Sequence, residues 1–387
     1  MKKLAIITTH PIQYYAPIFK LLHQRKNITI KVFYTKGKEN EYLPDTGFGK
    51  TIVWDIPLLE GYPYEWVKNT AANPGSHNFK GIVNPDLIGL INEWQPDALL
   101  VYGWAYSSHL KVLRYFKNKI PIYFRGDSTL LNKTGGIRET LKYIYLNWIY
   151  KHVNNAFYVG TNNKSYFKKY GLKETQLIFA PHAIDNERFK KTHKQKAADF
   201  RESLGIPDGA ILILYAGKFE HVKNVELLLS AFIQLHKADV HLLLVGNGIK
   251  ENILREKANN SSLTGNIHFS DFKNQSFMPV LYQAANLFCL PSLSETWGLA
   301  VNEAMACSTA VLVSDKVGCA VDLVENNYNG LVFKSESVDE LIHSLQILTQ
   351  SKELLHDFGV NSAEIIKDWN FIKIAEAIEN KLMNEAN

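Results

Sequence analysis

The stretch "PSLSETWGLAVNEAMACS", Pro291 to Ser308, carries two carboxylates, Glu295 and Glu303, on either side of a Trp-Gly-Leu turn. The run just before it, "NLFCLPS", is apolar and reads as a strand, so Glu295 stands in the loop at the strand's carboxyl end. "GLAVNEAMA" reads as a helix, which puts Glu303 about a turn and a half inside it. With a loop first and a helix second, both carboxylates are expected to project into one cleft at different depths. Trp297, Gly298 and Leu299 offer backbone N–H groups at the helix start, where an anion is favoured. Ala300, Val301, Ala304 and Met305 make the face around Glu303 mostly apolar, so its carboxylate needs a partner.

Outward from this stretch, short apolar runs alternate with helical-period segments. "KLAIIT", "ITIKVFY", "DALLVY", "IPIYF" and "AFYVG" read as strands in the first half. "ILILYAG", "VHLLLVG", "NIHFS", "NLFCLPS", "AVLVSD" and "GLVF" do so in the second. Between them, "LIGLINEW", "VELLLSAFIQLHK", "MPVLYQAA" and "GLAVNEAMA" read as helices. Strands that are apolar on both faces and separated by helices imply parallel sheets built from right-handed crossovers. The expected fold is α/β, with two doubly wound Rossmann-like domains facing a cleft. The boundary falls in "PHAIDNERFKKTHKQKAADF", where Pro181 ends a strand. This gives a first domain over 1–183 and a second over 184–370. A last helix, about 371–387, is placed to pack back on the first domain.

Composition narrows the function classes. The chain has 387 residues, 46% hydrophobic and 21% charged, enough for two cores. The apolar start, Leu4 to Ile7, runs into Thr-Thr-His-Pro without a small-residue cleavage site and reads as a first strand, not a signal peptide. No apolar run approaches the roughly 18 residues that span a bilayer. Three cysteines, none in a CxxC pair, read as buried thiols of a reducing cytosol. Net charge is +5 but lopsided: residues 1–180 hold 24 Lys+Arg against 12 Asp+Glu, leaving 19 against 26 in residues 181–387. The first half is therefore expected to meet something anionic or to carry a solvated lysine-rich surface.

Two strand ends in the second half look poised for phosphate. In "LYAGKFEHVKNVELLLSAF", Gly217 permits a tight turn, and Lys218 and Lys223 flank a helix start. Cations are disfavoured at that end of a helix, and an anionic ligand would resolve the conflict. "HLLLVGNG" repeats the arrangement with Gly246-Asn247-Gly248; these glycines read as a tight turn or as a close approach of backbone to a ligand. No GxxxxGK[ST] occurs, so this is not a P-loop.

With these residues in hand, "PSLSETWGLAVNEAMACSTAVLVSDKVGCAVDLVENNYNGLVF" resembles the signature of glycosyltransferase family 4, retaining enzymes of the GT-B fold that use nucleotide-sugar donors. The resemblance implies that Glu295 lies beside the donor sugar's hydroxyls and that Glu303 takes the ribose hydroxyls. It implies that Lys218 and Lys223 hold the diphosphate, together with the N–H groups of Gly298 and Leu299. Phe272 falls where such enzymes meet the nucleobase through backbone, and Gly217 and Gly246 line the donor site. The chain departs from the pattern at Ser308-Thr309-Ala310, where Gly-x-Pro is usual, at Cys319 after Gly318, and at Asp322 in place of Glu. These alter a turn and packing but leave the charged donor groups in place.

The first half yields acceptor-side candidates. His10, Gln13 and Tyr14 sit in the loop after the first strand, and Trp104 (with Tyr106) sits at a third strand end, placed to stack on a sugar ring or to pack. Arg125 and Asp127 stand where many relatives carry a histidine; they read as a structural pair or as Asp127 orienting the acceptor hydroxyl. The catalytic set so implied is Glu295, Lys223, Lys218 and Asp127. The expected activity is a metal-independent, retaining transfer from a nucleotide sugar to a saccharide or lipid-linked acceptor in cell-envelope polysaccharide synthesis. No Asp-x-Asp occurs in the chain, and no cofactor, metal or nucleic acid is expected. The expected location is cytoplasmic, with a peripheral position at an anionic inner membrane face. Stretch 137–152, "IRETLKYIYLNWIYKH", could meet such headgroups, but its apolar character nearly all round favours burial against the sheet. The rivals are a two-carboxylate glycoside hydrolase, a sugar-nucleotide epimerase of the same fold, and a basic nucleic-acid-binding protein, the last without an accompanying motif.

Overall fold

A computed structural model describes residues 1–40, 53–131 and 135–385. They form two compact units, one of residues 1–40, 53–131, 135–182 and 371–385 and the other of residues 183–370.

The first unit is built on seven strands: β1 (Lys3–Thr8), β2 (Thr29–Tyr34), β3 (Tyr64–Trp66), β4 (Ala98–Tyr102), β5 (Ile122–Arg125), β6 (Asn155–Tyr158) and β7 (Leu177–Phe179). They lie in the order β3-β2-β1-β4-β5-β6-β7, every pair parallel. Strand β4 is buried along its whole length, as helices on both faces require. Chain order reverses between β1 and β4, so their carboxyl ends flank the crevice where such sheets bind ligands. Strand β3 has no apolar run: it is a three-residue edge strand whose Tyr64 is exposed, and its sequence carries no period to read. The helix Phe371–Met383 returns to this unit and packs against the helix Ala16–Arg25 through Ile374, Ala375, Ile378 and Leu382. Glu379, buried in that seam, accepts Arg25 Nε at 3.0 and 2.9 Å and Asn27 Nδ2 at 3.0 Å, which satisfies its charge.

The second unit carries β8 (Ile211–Ala216), β9 (Val240–Val245), β10 (Ile267–Ser270), β11 (Leu287–Leu290), β12 (Ala310–Ser314) and β13 (Gly330–Phe333). Their order is β10-β9-β8-β11-β12-β13, again all parallel, with the reversal between β8 and β11. Register across the reversal pairs Leu287 with Ile213 and Phe288 with Leu214. The helices Val225–Leu235 and Leu299–Ala306 follow β8 and β11 and bury apolar faces on the sheet. All three cysteines are free and buried.

Stretch 137–152 corrects the expectation of burial. Its helix, Ile137–Tyr150, buries Leu146, Ile149 and Tyr150 but leaves Ile137, Leu141 and Ile144 exposed. The helix is apolar on two opposite faces, and the sheet can cover only one of them. Among the described residues, no helix is long and apolar enough to cross a membrane.

Candidate functional site

In the second unit, Lys223 and Glu295 form an ion pair across the β8/β11 reversal. Lys223 ends a single helical turn, His221–Lys223, ahead of Asn224 and the helix Val225–Leu235. Glu295 reaches it from the loop after β11. That loop is held on its far side, where Glu295 N–H donates to Lys316 O (3.1 Å) and Gly318 N–H to Glu295 O (3.0 Å). Cys319 N–H donates to Trp297 O (2.9 Å). A Cβ on Gly318 would sit 1.8 Å from Thr296 O, so only glycine allows these two backbones to meet. Both side chains of the pair keep about a fifth of their surface in solvent.

Beyond Glu295 the chain turns at Gly298 (φ +97°) into the helix Leu299–Ala306. The N–H groups of Gly298 and Leu299 thus open the helix, where no preceding turn supplies carbonyl partners. Trp297 is buried: its Nε1–H donates to Asn302 Oδ1 (2.9 Å), and its ring lies 5.1 Å from that of Trp369. Its side chain anchors the turn, and only its backbone borders the helix start. Glu303 is also buried and accepts Tyr282 Oη at 2.8 Å, which supplies the partner its apolar face demanded. Glu295 and Glu303 therefore have separate partners, a lysine at the rim and a tyrosine inside.

The glycine-bearing ends of β8 and β9 pack on each other. A Cβ on Gly246 (φ +142°) would lie 1.9 Å from Gly217 O, and Gly217 N–H donates to Val245 O (3.0 Å). Close contact between two loops explains the glycine at 246. Lys218 follows directly, its carbonyl accepting Tyr215 Oη (2.8 Å). Phe272 donates its N–H to Asn247 Oδ1 (3.1 Å), while Asn247 Nδ2 donates to Glu251 and Asp271.

The first unit treats its candidates differently. Arg125 is buried and donates to Ala180 O and Pro181 O, both at 2.9 Å, which corrects its assignment to the acceptor. Its guanidinium ties the end of β5 to the segment after β7. Trp104 sets its ring edge-on to Tyr145 (5.5 Å) and packs on the core, so of its two readings packing holds. His10 Nδ1 lies 2.9 Å from Thr9 Oγ1, and burial, then Lys36, lowers its pKa to about 4. Gln13 and Tyr14 are half-buried in the turn before the helix Ala16–Arg25. Asp127 lies near Tyr15, whose hydroxyl pKa is raised by burial and then by that carboxylate.

Four residues at these strand ends escaped the sequence reading. The His182 and Tyr15 rings are 6.3 Å apart, and burial, then Arg125, lowers the His182 pKa to about 4. Tyr102 ends β4, 4.7 Å from Tyr15, and its buried hydroxyl has no hydrogen-bond partner among the described residues. His109, fully buried, places Nδ1 3.1 Å from the carbonyls of Tyr102 and Gly103 and Nε2 2.9 Å from Thr35 Oγ1. Carbonyls only accept, so Nδ1 carries the proton and Nε2 accepts from Thr35. His182 was legible only as part of "APHAID", and Tyr15 only as the neighbour of Tyr14.

Two parallel doubly wound units are the architecture of the GT-B fold. Solved structures agree on the fold. Anabaena HepE in complex with UDP and glucose superimposes with a TM-score of 0.73 over 100% of both chains at 16% identity. Sucrose-phosphate synthase from Thermosynechococcus elongatus does so at 0.76 over 99% and 98%, with 17% identity. Residues 196–365 match the family model of glycosyl transferases group 1. Curated relatives include the N,N'-diacetylbacillosaminyl-diphospho-undecaprenol alpha-1,3-N-acetylgalactosaminyltransferase of Campylobacter jejuni, 27% identical over 59% of this chain and 61% of that protein. The D-inositol 3-phosphate glycosyltransferase of Rhodococcus erythropolis is 24% identical over 56% and 50%. The chain thus spans about half the length of the curated relatives it matches.

Proposed function

We propose that this chain is a retaining glycosyltransferase of family 4 that moves a sugar from a nucleoside-diphosphate sugar to a hydroxyl of a saccharide or lipid-linked acceptor, in cell-envelope polysaccharide synthesis. The observation that carries this reading is the Lys223–Glu295 pair at the β8/β11 reversal, beside the open first turn at Gly298 and Leu299. A diphosphate arriving there meets two lysines and two backbone N–H groups. It competes with Glu295 for the Lys223 ammonium, and the freed carboxylate then accepts from the donor sugar's hydroxyls.

Breaking the sugar–phosphate bond leaves negative charge on the departing nucleoside diphosphate. Lys218, Lys223 and the helix-start N–H groups stabilise that charge as it develops, which is the main catalytic task. In a retaining transfer the acceptor attacks from the face of departure, and a donor phosphate oxygen takes its proton. Glu303, already bonded to Tyr282, is assigned the ribose hydroxyls. In the first unit, Asp127 and the Tyr102 hydroxyl, unpartnered among the described residues, are assigned to the acceptor. Lysines are proposed to neutralise the diphosphate without a metal: the chain lacks Asp-x-Asp, and no metal-holding group of His, Cys, Asp and Glu occurs among the described residues. The lipid-linked acceptor is supported by the Campylobacter relative, whose name specifies a diphospho-undecaprenol substrate.

The test is calorimetric titration with UDP, GDP, ADP and TDP, without metal, on wild type and Lys223→Ala. One nucleotide should bind tightly, and the substitution should weaken it by about ten-fold or more, the loss of a charge-assisted contact. No binding of any nucleotide would sink the reading.

A further inference from the structure

The helix Ile137–Tyr150 shows solvent a stripe that the described residues of its own unit leave largely uncovered. Ile137 is 81% exposed, Leu141 61%, Ile144 60%, and Tyr145 and Trp148 40% each. Their spacing, i, i+4, i+7, i+8 and i+11, confines them to an arc of about 100° on one side of the helix. The opposite side holds Leu146, Ile149 and Tyr150, buried in the core. The fold therefore uses one apolar face of this helix and leaves the other in water, where apolar surface costs free energy.

The charges around the stripe identify what covers it. Arg138, Lys151, and Lys111 and Arg114 of the helix Ser107–Phe116 are all exposed, and the Arg114 guanidinium lies 5.8 Å from the Trp148 ring centre. The helix has one acid, Glu139, which is turned away and neutralised: it pairs with Lys169 and accepts Tyr170 Oη at 2.7 Å. Lys142 lies on that side as well, over the Tyr166 and Tyr170 rings. What remains is an aliphatic and aromatic ridge edged by cations, with no carboxylate of this helix on it.

From this we infer that the Ile137–Tyr150 face docks on an anionic lipid bilayer, with Ile137, Leu141 and Ile144 entering the acyl boundary. Tyr145 and Trp148 then lie at headgroup depth, where amphipathic rings are favoured, and Arg114, Arg138 and Lys151 meet lipid phosphates. A second copy of the chain is the poorer occupant. Two-fold pairing of the stripe would bring this cationic edge against its own copy with no acid of the helix to answer it.

The inference goes beyond the transferase reading. The experiment uses neither donor nor turnover, so either idea can fail alone. The full chain is sedimented with phosphatidylcholine vesicles, with and without phosphatidylglycerol, at low and high salt. It should pellet with the anionic vesicles at low salt, be released by high salt, and stay in solution with the neutral ones. Leu141→Asp/Ile144→Asp should lower partitioning by at least about ten-fold with an unchanged melting temperature. Independently of any fold defect in that variant, anionic vesicles should blue-shift tryptophan emission of the wild type and not of Trp148→Phe. No pelleting of the wild type on anionic vesicles at low salt overturns the inference. So does equal pelleting by a folded double variant, or a dimer in solution that the double substitution dissolves.

Discussion

The carboxyl ends of the two sheets make an instructive contrast. In the second unit the ionic groups meet at the rim: Lys223 reaches Glu295 across the β8/β11 reversal, and both stay in contact with water. In the first unit they are sealed: Arg125 is spent on Ala180 O and Pro181 O, and His109 on two carbonyls and Thr35. A rim pair that keeps contact with water can exchange its partner for an incoming anion at less cost than a sealed group. Removing a sealed group's partner leaves an uncompensated polar atom in the interior. Polar residues near the carboxyl ends of the strands thus stay in contact with solvent in one unit and are spent on the scaffold in the other.

Three experiments would break or sharpen this contrast. The largest effect is expected from acid. His109 and His182 both have pKa values lowered to about 4 by burial, so each ring is neutral when folded and protonates near 6.5 when unfolded. The unfolded chain then binds more protons between these values, so stability present above about pH 6.5 is lost as pH falls towards 4. The loss should be on the order of 3 kcal/mol per ring. Urea midpoints at neutral and acid pH should record it, and His109→Asn should flatten the decline; an unchanged slope would mean the ring is not sealed.

Next, Lys223→Ala should lower turnover by roughly 10²–10³-fold, the usual loss when one stabilising group is removed from a developing oxyanion. Its melting temperature should stay near that of wild type, since the Glu295 left behind is solvated. A protein that fails to fold would place Lys223 with the scaffold. The smallest effect is expected from Arg125→Met, which leaves two carbonyls without donors and should cost about 2 kcal/mol or more in thermal unfolding. Nucleotide affinity should be unchanged. Weaker nucleotide binding would show that the sealed end also serves the donor.

Much of this architecture was readable in advance. β8, β9, β11 and β12 announce themselves as continuous apolar runs because helices bury both faces, and their alternation with helical segments then implies a parallel sheet. Edge strand β3 left no such run. Lys223 and Glu295 were legible individually, from a strand end and a helix start, but their pairing was not. They are 72 positions apart, and only the reversal of strand order between β8 and β11 brings them together.

The sequence by itself determined the class of fold, because hydrophobic periodicity is a local property that burial must respect. It determined which residue types could meet an anion, because charge and helix ends are local too. Tertiary structure alone decided which charges are available. Arg125 looked like a site residue until the segment after β7, 55 positions on, delivered two carbonyls to it. Glu303 looked like the twin of Glu295 until Tyr282 closed over it. The helix Ile137–Tyr150, apolar nearly all round, gave no sign of which face the core would take. Partnership and exposure are set by what packs against a residue from elsewhere in the chain, and no local pattern encodes that.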